Sequence, residues 1–189
     1  NAYIDENLIY SRDQFLFGNY YHPLSYKGHK KVSNLNLFLN NLNKLFDIIE
    51  KKLNTKVIIS CSKKHIYKKN IFEGRKIVYG KTLQLISQSK LVLGHRGDSL
   101  YQALYSNTPV ILLKSKSFDL RKNTYIHVRS INHFNKKAYF IEDYLEKKAR
   151  LDFSVDKNFC NTLIREQFLS PGVKKENFSK KIIRELNKI

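Results

Sequence analysis

The chain lacks methionine and tryptophan, and its 189 residues include only two cysteines and three prolines. Cys61 and Cys160 are too few for a disulfide framework and fit no zinc-ligand spacing, so we expect two reduced thiols. With only seven glycines as well, the composition excludes collagen-like and low-complexity classes. No apolar run approaches the roughly 18–20 residues of a membrane span, which argues against an integral membrane protein.

The first residues also lack the marks of a translation start or a secretion signal. The opening NAYIDENLIYS carries acids where a signal peptide would be basic. Without an initiator methionine, we expect the chain to be a fragment of a longer, two-domain protein. Its activity would then depend on a domain outside this chain.

Acidic residues are scarce as well: 16 Asp and Glu stand against 35 Lys and Arg, which gives a net charge of +19. Such a balance indicates an anionic partner, whether nucleic acid, anionic lipid or a phosphate-bearing small molecule. The basic clusters are spread along the chain, and no RRM, KH, zinc-finger or helix-turn-helix signature is present. We therefore expect no nucleic-acid partner but a solvated basic surface, in peripheral contact with an anionic membrane.

Apolar patterning predicts that strands and helices alternate between residues 55 and 114. Compact apolar runs predict strands at 57–60, 76–79, 91–94 and 110–113, and helical spacing predicts short helices at 82–87 and 99–106. Short connections between such elements are typical of a parallel sheet covered by helices on both faces. Ligands in such sheets bind beyond the carboxyl ends of the strands.

The remaining elements are predicted from weaker patterns, except for one long helix. Leucine and phenylalanine at helical spacing predict that helix over 34–53, with Ser33 as its N-cap. The other predictions are strands at 3–10 and 138–141 and helices at 117–134, 156–169 and 176–187. Together the patterns predict an α/β fold: one domain over residues 1–189, a three-layer Rossmann-like parallel sheet flanked by helices, with helices at the C-terminal end.

The turn after the third run of this series, Gly94 to Ser99, carries the strongest chemical signal. Two glycines allow a ligand to approach the backbone closely, and a following helix offers free N–H groups to an anion. Arg96 adds a cation and Ser99 a hydroxyl, so the turn predicts a diphosphate site. The alternative is a plain turn in which Asp98 or Ser99 caps the helix. His95 faces either the ligand or a hydrogen-bond partner within the loop.

Two more segments reach the same predicted edge of the sheet. Lys81 and Thr82 follow one strand, and Lys63 follows another. A P-loop is excluded because Gly74 stands six residues before Gly80, whereas that motif needs five. The alternatives are that Thr82 caps the next helix and that Lys63 belongs to a solvated basic loop.

Residues 91–113, LVLGHRGDSLYQALYSNTPVILL, resemble the donor-binding half of GT-B glycosyltransferases. Many members carry a small turn, then x-x-E-A-x-x-x-x-x-P-V/I-I/L; the matching residues here are Ser99, Gln102, Ala103, Leu104, Pro109, Val110 and Ile111. The upstream GRKIVYGKTLQLISQSKLVLGH fits as well. The whole chain is similar to bacterial proteins of surface-polysaccharide synthesis.

The resemblance implies an enzyme domain that binds a nucleotide-sugar for transfer to a glycan or lipid-linked acceptor. It implies no metal and no separate cofactor, an acceptor domain N-terminal to this one, and a cytoplasmic place at the inner face of the cell membrane. We expect the fragment alone to be inactive and assign no catalytic residue. The implied donor site comprises Gly94, His95, Arg96, Gly97, Asp98, Ser99, Gln102, Lys81, Thr82 and Lys63.

Gln102 departs from the family pattern, because many members have a glutamate there that bonds the ribose hydroxyls. Glutamine can still donate and accept hydrogen bonds, but it cannot supply the charge-assisted bond. Two other functions therefore stay open: a non-catalytic α/β binding domain, and a basic domain that binds polyanions or nucleic acid.

Overall fold

The structure is a computed structural model that describes residues 1–4, 34–63, 66–67, 70–95, 99–118 and 120–168. The chain forms two compact units, Asn1–Ser154 and Val155–Ile189. That the chain is a single domain stays a prediction.

The first unit contains a parallel sheet to which the described residues contribute six strands. These are β1 (Ala2–Ile4), β2 (Ile58–Cys61), β3 (Ile77–Tyr79), β4 (Val92–Gly94), β5 (Val110–Lys114) and β6 (Tyr139–Phe140). Their order is β3-β2-β1-β4-β5-β6, and every neighbouring pair is parallel. This is the strand order of the doubly wound Rossmann fold. The predicted Rossmann-like α/β class is confirmed.

Four of the described helices of the first unit connect strands, and a fifth follows β6. They are α1 (Leu35–Leu53), α2 (Thr82–Ser87), α3 (Leu100–Tyr105), α4 (Leu120–Phe134) and α5 (Ile141–Leu145). The predicted helix 82–87 is confirmed residue for residue, and α1, α3 and α4 lie within their predicted ranges. The predicted helix 176–187 and residues 5–10 of the first predicted strand lie outside the described residues.

The N-cap of α1 and the length of β6 differ from the sequence prediction. The residue that caps α1 is Asn34, whose Oδ1 accepts a hydrogen bond from the Leu37 N–H at 3.0 Å. The predicted cap, Ser33, lies outside the described residues. The predicted strand 138–141 is reduced to the two residues of β6, because α5 begins at once. Glu142 and Asp143 stand in the first turn of α5, where the helix dipole favours acids.

The second unit contributes one described helix, α6 (Lys157–Phe168). Asp156 precedes it, and its Oδ1 accepts a hydrogen bond from the Phe159 N–H at 2.9 Å, which is the geometry of an N-cap. Among the described helices of both units, none combines the length and the apolar composition that crossing a bilayer requires.

Two consecutive residues at the end of β4 show that helices cover both faces of the sheet. A Cβ on Gly94 would stand 2.9 Å from Leu100 Cδ2, on α3. The ring of the next residue, His95, lies 5.7 Å from that of Phe38, on α1. Because successive strand residues face opposite sides, α3 and α1 lie on opposite faces. Helix α2 packs beside α3, and α5 packs beside α1, which completes the three layers.

Helix α1 is tied to the turn before β3 by Arg75, whose side chain is only 8% exposed. Its Nε and Nη2 donate to the two carboxylate oxygens of Glu50, each at 3.3 Å, and Nη2 also contacts Asp47. Its Nη1 donates to Asn43 Oδ1 at 3.3 Å. The guanidinium lies 5.3 Å from the Phe46 ring centre. The network therefore fixes the segment that leads into β3.

Candidate functional site

The carboxyl ends of the strands form the edge where the predicted site residues lie. The chain runs from β1 through β2 to β3 on one side and then returns to β4 on the other side of β1. The order thus reverses between β1 and β4, and in open α/β sheets ligands bind at this reversal. The described residues that flank it follow β2 and β3 on one side and β4 on the other.

A pair of hydroxyl groups stands at the ends of β2 and β3. Ser60 Oγ lies 2.8 Å from Thr82 Oγ1, and we assign Ser60 as the donor. Ser60 is buried, whereas Thr82 is half-buried at the first turn of α2. The N-cap of α2 is Lys81, so Thr82 does not act as the cap. When Ser60 donates, Thr82 keeps its own hydroxyl proton for another acceptor.

Two lysines border this pair. Gly80 has φ +68°, a left-handed conformation that glycine adopts without strain. A Cβ at Gly80 would stand 2.6 Å from Lys63 Cγ, so the absence of a side chain lets the stem of Lys63 lie against this turn. Lys63 and Lys81 are both exposed, and across the described part of the chain neither is paired with a carboxylate. The turn thus combines a hydroxyl donor with two cations, which is suitable chemistry for a phosphate.

On the other side of the reversal, Ser99 and Gln102 stand where α3 begins. Both are half-buried, and the Gln102 N–H bonds the Ser99 carbonyl at 3.1 Å. Ser99 is the N-cap residue of α3, as the plain-turn alternative predicts, but its hydroxyl makes no capping hydrogen bond. Gly94 is buried and serves close packing against Leu100. Arg96, Gly97 and Asp98 lie outside the described residues.

His95 lies in the interior, beneath α1. Its ring is 0% exposed, with Nδ1 at 2.7 Å from the Leu113 carbonyl and Nε2 at 3.0 Å from the Tyr3 hydroxyl. A carbonyl only accepts, so Nδ1 carries a proton and, in a neutral ring, Nε2 accepts from Tyr3. The ring also packs against Phe118, with centres 5.1 Å apart. In this arrangement His95 joins three strands and presents no nitrogen to solvent; its contact with a donor stays a prediction.

The structure adds a polar cluster at the ends of β5 and β6 that the sequence patterns did not indicate. Ser115 is fully buried, and its Oγ donates to Glu142 Oε1 at 2.6 Å. The other oxygen, Oε2, accepts the Lys116 N–H at 3.1 Å. Asn123 Nδ2 donates to the Ser115 carbonyl at 2.8 Å. Ser115 and Glu142 are 27 residues apart, so no local pattern could have paired them.

The cations beside this second cluster differ from those beside Thr82. Lys116 Nζ lies 2.9 Å from Asp143 Oδ1 and 4.0 Å from Glu146 Oε1, and its hydrogen bond to Asp143 raises the pKa of the lysine. Its charge is therefore largely balanced. Lys116, beside β5 and β6, thus pairs with two carboxylates, whereas Lys63 and Lys81, beside β2 and β3, pair with none among the described residues.

Lys114, at the end of β5, is partly removed from water. Its ammonium lies 4.2 Å from the centre of the Phe140 ring. Burial lowers its pKa from the ordinary 10.5, Lys137 lowers it further, and Asp143 opposes the change. Because the folded chain binds this proton less tightly than the unfolded chain does, the free energy of unfolding rises with pH between the lowered pKa and the ordinary one.

Replacing Lys114 by methionine is therefore expected to change how stability depends on pH. The wild-type chain should gain free energy of unfolding relative to Lys114→Met as pH rises from the lowered pKa to about 10.5. Urea unfolding at several pH values between 7 and 10.5 measures this difference. Lys44→Met, at an exposed position of α1, is the matched control for the loss of one lysine. A wild-type chain that loses stability relative to Lys114→Met as pH rises contradicts the assignment.

A separate groove lies at the opposite edge of the sheet, where α1 ends and β2 begins. It encloses about 370 Å³ and is lined by Asp47, Glu50, Lys51, Asn54, Thr55 and Lys56. Its charges are mixed, and none of the predicted donor-site residues lines it. In the described residues, no three His, Cys, Asp or Glu side chains come together in a way that could hold a metal ion.

Comparisons of the chain with protein-family models, with curated proteins and with solved structures find no match. Because neighbouring strands lie about 4.8 Å apart, the ends of β2 and β4, which flank β1, are about 10 Å apart. A ligand with a diphosphate between two organic groups is long enough to contact both sides.

Proposed function

We propose that this domain binds a nucleotide-sugar at the carboxyl edge of its sheet and presents it for glycosyl transfer. The observation that carries the proposal is the position of two exposed cations, Lys63 and Lys81, beside the Thr82 hydroxyl and next to the reversal of strand order; among the described residues neither cation pairs with a carboxylate. A diphosphate would accept from these groups. The resemblance of residues 91–113 to GT-B donor domains supports the same edge.

The chemical contribution of such a site is to stabilise the departing nucleoside diphosphate. Negative charge develops on the diphosphate as the sugar leaves, and fixed cations and hydroxyl donors lower the energy of that state. Lys63, Lys81 and Thr82 are the residues to which we assign this work. Ser99 and Gln102 would contact the other end of the donor. The N-terminal domain that the resemblance implies would bind the acceptor, a glycan or a lipid-linked sugar, and would supply the catalytic base.

A thermal-shift panel tests the donor site. We expect one of UDP, CMP, GDP, TDP and ADP, at about 100 times its Kd, to stabilise the chain by about 2.7 kcal/mol. For a domain of this size that corresponds to a rise in Tm of roughly 5–10 °C. Salt at about 150 mM keeps non-specific attraction to a basic surface small.

Variants decide whether the shift arises at this edge. Thr82→Val with Lys63→Gln should abolish the nucleotide shift, because the hydroxyl donor and one cation are lost. Thr55→Val with Lys44→Gln is the matched control: it removes the same charge and also one side-chain hydrogen bond, from Asn1 Nδ2 to Thr55 Oγ1 at 2.6 Å. The control should keep the full shift. Equal losses in both pairs, or equal shifts for all five nucleotides, would point instead to a polyanion-binding domain.

A further inference from the structure

Helix α4 carries an apolar stripe on its outer side. Tyr125, Val128 and Ile131 are 47%, 48% and 51% exposed. Their spacing of three residues places them on one face of the helix. The inner side is buried through Ile126 and Phe134, so this stripe is additional to the apolar face that packs on the sheet. Three large apolar side chains at neighbouring positions indicate a surface that meets something other than water.

The chain around this stripe is basic and has no acid. Residues 120–141 contain five cations and no aspartate or glutamate; the cations are Arg121, Lys122, Arg129, Lys136 and Lys137. Three of these cations, Arg121, Lys122 and Arg129, belong to the sequence of α4. Lys136 pairs with Asp152 at 3.4 Å, so it contributes less than the others. An exposed apolar stripe on a helix whose sequence is basic and has no acid is typical of helices that lie in a membrane interface.

We propose that α4 docks this domain on an anionic lipid surface. Val128 and Ile131 would enter the boundary between headgroups and acyl chains, Tyr125 would lie at headgroup level, and the cations of α4 would meet lipid phosphates and carboxylates. The inference goes beyond donor binding, because it concerns a helix face outside the proposed donor site.

Charge favours lipid over the other partners that could cover such a stripe. A second copy of the chain would bring two helices of the same positive charge face to face, each on a chain of charge +19. Single-stranded nucleic acid would match the charge, but it binds through aromatic stacking, and two of the three stripe residues are aliphatic. An anionic bilayer satisfies both the cations and the aliphatic side chains.

Vesicle sedimentation with the full 189-residue chain tests the proposal. We expect binding to phosphatidylcholine vesicles that contain about 30% phosphatidylserine, and weak binding to phosphatidylcholine alone. Val128→Asp with Ile131→Asp should weaken binding more than tenfold, because each new negative charge near an anionic surface costs about fivefold and apolar contact is lost too. Leu37→Asp with Ile48→Asp is the matched control on α1, at positions 47% and 39% exposed, and it should bind like the wild type.

Four outcomes would overturn the proposal. They are no binding of the wild type to the anionic vesicles, equal binding to both kinds of vesicle, equal weakening by both variant pairs, and a self-association in light scattering that only the α4 pair abolishes. A fifth outcome, retention on single-stranded DNA that falls in the α4 pair while vesicle binding persists, would overturn it by assigning the helix to nucleic acid. Circular dichroism checks folding. Should the aspartates disturb it, glutamine at the same four positions repeats the comparison without new charge.

Discussion

Replacing His95 by alanine is expected to lower the free energy of unfolding by about 3–4 kcal/mol. The ring is completely buried against Phe38 and Phe118, so its removal leaves a cavity. It also leaves the Leu113 carbonyl and the Tyr3 hydroxyl without the bonds that the ring now makes with them. Urea unfolding followed by far-ultraviolet circular dichroism measures the loss.

The same experiment separates the two roles that the sequence leaves open for His95. An exposed histidine that only contacts a ligand would lose less than about 0.5 kcal/mol of stability on replacement. His133→Ala, at an exposed position of α4, gives that reference. Tyr3→Phe should cost about 1–2 kcal/mol, because it keeps the ring and removes the partner of Nε2. A small effect for His95→Ala with a lost nucleotide shift would contradict the buried role.

Replacing Arg75 by alanine is expected to cost about 3 kcal/mol of stability, because it breaks a largely buried ion pair. Glu50, whose side chain is 14% exposed, would lose the guanidinium group that now donates to both of its oxygens. Asp47 is 62% exposed, so its pairing with Arg75 adds little. The Val57 N–H would still donate to Glu50 Oε1 at 2.7 Å, which leaves the carboxylate in place but short of its main partner.

Two further variants test whether the bonds of Arg75 to Glu50 are the cause of this loss of stability. Lys76→Ala changes the adjacent exposed cation and should cost less than about 0.5 kcal/mol. Arg75→Lys keeps the charge but cannot bond both oxygens at once, so its cost should lie between the other two. Should Arg75→Ala unfold at the same urea concentration as the wild type, the network does not stabilise the turn before β3.

The Arg75 network also bears on the proposed donor site. Arg75 stands just before β3, and the backbone bond from Ile59 N–H to the Lys76 carbonyl at 2.9 Å starts the pairing of β2 with β3. The turn that follows β3 carries Gly80, Lys81 and Thr82. Loss of the two Arg75–Glu50 hydrogen bonds should therefore displace this turn. The rise in Tm on nucleotide addition should then be smaller, although Arg75 does not contact the ligand.

The sequence determined the elements and the fold class. The helix predicted from Leu83 and Ile86 between two turns matches α2, and the apolar runs of β2 to β5 contain enough residues to identify strands. These signals are local, because each arises from side chains within one element. The sequence also located the edge that carries Lys63, Lys81 and Thr82, since parallel strands end on the same side of a sheet.

Only the tertiary structure decided which groups meet. Strand alternation places His95 on the face opposite to the Leu100 contact of Gly94. Which side chains the ring meets on that face depends on packing between distant parts of the chain, since its partner Tyr3 is 92 residues away. The pairing of Ser115 with Glu142 and of Arg75 with Glu50 likewise joins residues 27 and 25 positions apart. Such contacts depend on how whole elements pack, and the free energy of that packing is not encoded in any single segment.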